Sequence, residues 1–167
     1  FLHTLEKKLL FSLKTSASGS DEQKLNFDYL LRSARSKDTL NFLSKLSAET
    51  EKLPGLKIDQ DRRWQLLLSL ASQNHAGVDV LIAHEEKRDS SSDGKRFALA
   101  ARAIVPTEQA KTFWHVEAAK EKTKYSLSEL RAVLSAMYPA EQWAIKSNLN
   151  KDFYKNLALQ DITSHVN

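Results

Sequence analysis

Apolar residues recur three and four apart along almost the whole chain, and the strict alternation of a half-buried strand is nearly absent. The first such stretch runs from Phe1 to Thr15 and stops at TSASGS (15–20). Ser20 followed by Gln23 predicts a capping box. It opens a helix expected to turn Leu25, Tyr29 and Leu30 inward. A third helix follows Ser36, with Leu40, Leu43 and Leu46 along one side. The segment EKLPGLKID (51–59) is the clearest non-helical joint, because Pro54-Gly55 punctuates strongly, and residues 52–58 are a candidate sub-boundary.

Asp59 can cap the next helix, whose Trp64, Leu66, Leu67, Leu68, Leu70 and Ala71 form an arc too wide to be covered from one side only. After Asn74 to Gly77, Val78, Leu81, Ile82 and Glu85 mark the face of a shorter helix. DSSSDG (89–94) reads as a loop with Ser90 to Ser92 as solvated linker. KRFALAARAIV (95–105) is apolar nearly all round, and its alanines permit close approach of other helices. Pro106 ends it, and Thr107 can cap a helix carrying Phe113, Trp114 and Val116. Ser126 with Glu129 predicts a second capping box, ahead of a stripe of Leu127, Leu130, Leu134 and Met137. Pro139 then starts a last helix with Ile145, Leu149, Phe153 and Leu157 four apart, before a frayed DITSHVN end. Trp64, Trp114 and Trp143 all sit within apolar stripes, which predicts core positions.

The sum is an all-α chain of about eight or nine helices. Short connections favour antiparallel neighbours, and helix pairs stacked side by side give an irregular α-α superhelix of the armadillo or HEAT kind. Length adds that 167 residues suffice for one domain with a real core. The chain opens at Phe1 inside a helical pattern, so residues 1–167 read as a single helical domain of a longer polypeptide.

Charge changes the picture little. Twenty-five basic residues face 21 acidic ones, leaving a net charge of +4 with no basic run longer than two. A nucleic-acid partner asks for a concentrated patch, so none is expected. No apolar run reaches the ~20 residues needed to span a bilayer. The absence of cysteine excludes a disulfide framework and thiolate zinc sites, and it fits a reducing compartment; a cytoplasmic location is the expectation.

The sequence HEEKR (84–88) tests for zinc chemistry. A helical zinc peptidase motif needs two His four apart on one face. Here the second ligand position is Arg88, which has no lone pair for a metal. The stretch reads as a helix end with Arg88 favoured near the C-terminus. The five His (His3, His75, His84, His115, His165) form no pair four apart, and neither a phosphate-binding loop nor a dinucleotide-binding glycine motif is present. No cofactor is expected in this chain. Arg102 is the odd charge in an apolar helix, predicted to pair with a carboxylate or to face a cavity.

Three stretches carry a resemblance. KIDQDRRWQLLLSLASQ (57–73), HEEKRDSSSDGKRFALAARAIVPTEQAKTFW (84–114) and YSLSELRAVLSAMYPAEQ (125–142) follow one another in register. Together they are similar to the C-terminal helical domain of aminopeptidase N family zinc peptidases, of the bacterial and endoplasmic-reticulum type. The resemblance spans roughly Lys57 to Leu157, and residues 1–56 match by helical character alone. It implies a non-catalytic domain that caps the active-site chamber and controls peptide access. The zinc and its general base would belong to a separate catalytic domain of the same polypeptide, so no catalytic or metal-binding residue carries over. Basic side chains on the inner face would attract a peptide's C-terminal carboxylate, with Arg63, Lys95, Arg96 and Arg102 as candidates. The alternative is a stand-alone helical-repeat scaffold for protein interactions.

Overall fold

The computed structural model describes residues 2–149, and these are all-helical. Eight α-helices follow one another: α1 Leu2–Thr15, α2 Asp21–Ser33, α3 Lys37–Ser47, α4 Gln60–Ser72, α5 Val78–Arg88, α6 Ser92–Ile104, α7 Glu108–Ala119 and α8 Leu127–Ala136. A 3-10 turn, Ala140–Gln142, then leads into helical residues 143–149.

Polar caps written in the sequence set most helix starts. The side chains of Ser20, Ser36, Asp59, Ser91, Thr107 and Ser126 each accept a hydrogen bond from the backbone N–H three residues on, which satisfies one orphan donor of the first turn. At Ser126 the reciprocal bond from Glu129 completes the predicted capping box. At Ser20 the box is shifted by one residue, because Gln23 Oε1 accepts from Gly19 N–H instead. The Gln23 amide also donates 3.1 Å to Pro54 O, and Leu53 and Leu56 are buried in the main core. The 52–58 joint is thereby stitched to the first two helices.

The helices form two rows. α2, α4, α6 and α8 pack side by side, each against the next, while α1, α3, α5 and α7 lean on that row and no two of them pack together to a comparable extent. The first row packs continuously along its length and is called the inner row. α4 has neighbours on both sides and beneath, which is why its broad apolar arc is almost wholly buried. The main core runs from Leu13 to Ala101 around Trp64, whose ring stacks on Phe97 at 5.9 Å. A smaller core of Leu99, Ala103, Trp114, Val133 and Met137 joins α6, α7 and α8.

Four sequence expectations are corrected. In α2, Leu25 and Tyr29 face solvent, whereas Phe27, Leu30 and Leu31 are buried. Positions two away from Phe27 lie on the opposite side of a helix with 3.6 residues per turn. In α8, Val133 and Met137 are buried while Leu127 and Leu134 stay exposed. Leu134 is one residue, about 100°, round the helix from the buried Val133. Trp143 is 68% exposed rather than in a core. The serines of DSSSDG are not linker: Ser91 caps α6 and the helix starts at Ser92. Gly94 is needed in that first turn, because a Cβ there would come within 2.3 Å of Asp89 O. The stripe positions Phe153 and Leu157, His165 and the DITSHVN end lie outside the described residues.

Candidate functional site

Residues of the inner row, α2, α4, α6 and α8, line two adjoining grooves. The first, of about 440 Å³, is lined by Asp28, Arg32 and Arg35 from α2 and just beyond it, Gln65, Leu68 and Ser72 from α4, Ile104 from α6, and Glu141. The second, of about 390 Å³, lies between α4, α6 and α8, where Phe97, Ala100, Ala132 and Ala136 make an apolar bed beside Arg96. Leu68 and Ile104 border both, so the two run into one another. Alanine spacing produces the second groove: short side chains leave the space that a Leu would fill.

The four candidate cations fall on different sides. Arg96 borders the second groove and pairs with Asp93, one turn earlier on its own helix. Lys95, its neighbour, is exposed. Arg63 turns toward α5, where its Nε donates to Glu85 at 2.7 Å; both side chains are largely buried. Arg102 also reaches α5, pairing with Glu86 at 2.6 Å beside a recess lined by Phe113 and Trp114. Its expected carboxylate partner is therefore present. In HEEKR, His84 and Arg88 are exposed, and Arg88 pairs with Glu49 at 2.5 Å across to the end of α3.

Sequence reading missed the cations at the first groove. Arg32 is exposed and has no ion-pair partner among the described residues. Arg35 Nη2 lies 3.1 Å from Glu141 Oε1. No local pattern marks either residue, because the groove forms only when α4 and α6 come alongside α2.

Buried polar side chains fasten the C-terminal ends of α4, α6 and α8. Gln142 Nε2 donates 2.7 Å to Ile104 O and 3.3 Å to Ser72 O, the last carbonyls of α6 and α4. Lys111, fully enclosed, donates from Nζ to Ala103 O at 2.7 Å and to Met137 O. These acceptors are the carbonyls that a helix C-terminus leaves without intrahelical partners. Burial pushes the Lys111 ammonium down to about 8. Tyr138 packs beside it, with Nζ 5.3 Å from the ring, and its hydroxyl lies 2.7 Å from His115 Nε2. Burial lowers the His115 pKa and raises that of Tyr138. Among the described residues no three of His, Asp and Glu come together as a metal-ligand set. No described helix is long and apolar enough to cross a membrane.

No protein-family model matches the chain. Aminopeptidase N of Streptomyces lividans is 29% identical over 154 residues, which cover 92% of this chain and 17% of that protein. This chain is distantly similar to an aminopeptidase N. The likeness extends over more of the chain than the three stretches that carry the sequence resemblance. The chain spans well under two thirds of the length of that relative.

Proposed function

We infer that this chain is a non-catalytic helical portion of a zinc-dependent aminopeptidase, which removes N-terminal residues from peptides. Its inner face borders the chamber that the peptide enters. Similarity to an aminopeptidase N over 92% of the chain carries the reading. The groove adds chemistry suited to the role. Arg32 and Arg35 offer guanidinium forks that match a carboxylate, and Leu68, Phe97 and Ala100 offer an apolar bed alongside. Arg96 stands further along the same face, whereas Arg63 and Arg102 are engaged by α5. The array shapes and restricts a passage, while zinc and its general base belong to another domain of the polypeptide, in the cytoplasm.

Charge reversal in the full-length polypeptide tests this. Arg32→Glu and Arg96→Glu should raise KM for peptides long enough to reach the inner face, and leave KM for dipeptide reporters unchanged. Equal effects on every peptide length would remove the proposal.

A further inference from the structure

Glu141 occupies an unusual place. The chain leaves α8, turns at Pro139 and runs across the C-terminal ends of the inner row. Gln142 anchors this strap: the residue is buried and bonded to the ends of both α4 and α6. One residue earlier, Glu141 points the other way and spans to Arg35, just beyond α2. The strap thus bridges the first inner helix to the last through two contacts of very different strength. The Gln142 side chain that makes these bonds is shielded, with the residue only 4% exposed. The Arg35–Glu141 pair leaves 31% and 39% of its side chains exposed, so solvent competes for it.

The same pair borders the first groove. Its charged lining consists of Asp28, Arg32, Arg35 and Glu141. Arg35 is the guanidinium nearest the strap, and a carboxylate of the chain itself already sits on it. We propose that Glu141 is an internal competitor, a latch that holds Arg35 in place of a ligand carboxylate and swings aside when a peptide's C-terminus enters the groove. Arg32, without such a partner among the described residues, makes the first contact, and Arg35 completes the grip after release. The latch is cheap to open because its anchor does not move: Gln142 keeps the strap on α4 and α6 while the Glu141 side chain rotates away. This inference rests on the reading of the groove as a carboxylate-binding surface.

An exposed ion pair of this kind is closed roughly one to five times as often as it is open. A ligand that needs it open binds more weakly by the fraction of time it is shut, so its removal should tighten binding about two- to six-fold. The probes are N-acetyl-Ala-Ala-Leu with a free C-terminal carboxylate and the same peptide as its C-terminal amide, titrated into the 167-residue chain by NMR. Glu141→Gln should bind the acid form about two- to six-fold more tightly than the unsubstituted chain and leave the amide unchanged, while Arg32→Ala should weaken the acid form. If Glu141→Gln binds the acid no more tightly while Arg32→Ala still weakens it, the latch is overturned and the groove reading stands. If neither the unsubstituted chain nor Glu141→Gln distinguishes acid from amide, the groove reading falls and the latch with it.

Discussion

Lys111 offers a stability measurement whose sign and size come from one enclosed ammonium. Its side chain is fully buried in the α7 face, and desolvation pushes its pKa from 10.5 down to about 8. The folded chain therefore gives up this proton more readily than the unfolded chain. Where the unfolded state binds more protons, stability rises with pH. The contribution should be lowest below about pH 8, rise between 8 and 10.5, and then level off. At about 1.4 kcal/mol per pH unit, that window corresponds to roughly 3 kcal/mol. The neutral amine still has two N–H donors, one for Ala103 O and one for Met137 O, so the clamp survives deprotonation. The perturbation is Lys111→Met, which keeps the volume and removes the titration. Urea unfolding followed by tryptophan fluorescence, at intervals from pH 7.5 to 10.5, gives the stability difference between the two proteins. Because the chain has no cysteine, thiol chemistry does not interfere at alkaline pH. Tyr138, whose pKa is raised by burial, titrates in both proteins and so largely cancels in the difference. The difference should move in favour of the unsubstituted chain by about 3 kcal/mol as pH rises. Parallel curves would refute the reasoning, since Lys111 would then titrate alike in both states.

Glu6→Gln should destabilise by about 1–3 kcal/mol, because the buried Glu6 carboxylate accepts from Arg35 N–H and from the N–H and hydroxyl of Ser36 at the start of α3. Burial alone would raise the Glu6 pKa, but the Ser36 and Thr39 hydroxyls and the Ser36 and Arg35 N–H groups together lower it. Its stabilisation is thus present above about pH 4.5 and lost as pH falls through the lowered value, a dependence that acid titration of the urea midpoint should show and Glu6→Gln should lack. Gly94→Ala should lower Tm at a cost of roughly 1–3 kcal/mol, since the new methyl meets Asp89 and disturbs the carboxylate that accepts from Trp64 Nε1 and Gln60 Nε2. Arg63→Met strands the buried Glu85 and should cost about 3–5 kcal/mol. Arg102→Met breaks a half-exposed pair and should cost about 1 kcal/mol or less, so the reverse order in urea unfolding contradicts these assignments.

Much of the fold is legible in local sequence because its determinants are local. Ser20, Asp59, Thr107 and Ser126 cap the helices that their positions predict, and Leu40, Leu43 and Leu46 are buried as a stripe. Ser91 escaped because three serines ahead of Asp-Gly look like linker, and no Glu or Gln stands at the reciprocal position. Leu25, Tyr29, Leu127 and Leu134 misled because an apolar side chain can also face solvent, and the covered face is set by neighbours in space. The site was harder still. Arg35, Lys111 and Gln142 find their partners well away in sequence, Gln142 on carbonyls 70 and 38 residues earlier, and Arg32 borders a groove that α4 and α6 complete. One signal was available: Lys111 stands one turn from Trp114 on the buried face of α7, and a lysine there has to find acceptors.

The central claim is that these helices shape a peptide's path and do no bond cleavage. The most direct measurement incubates the purified 167-residue chain with zinc and an aminoacyl reporter, and determines bound metal and released product together. The account predicts no stoichiometric metal and no turnover. Tightly bound zinc at one per chain with steady hydrolysis would contradict it.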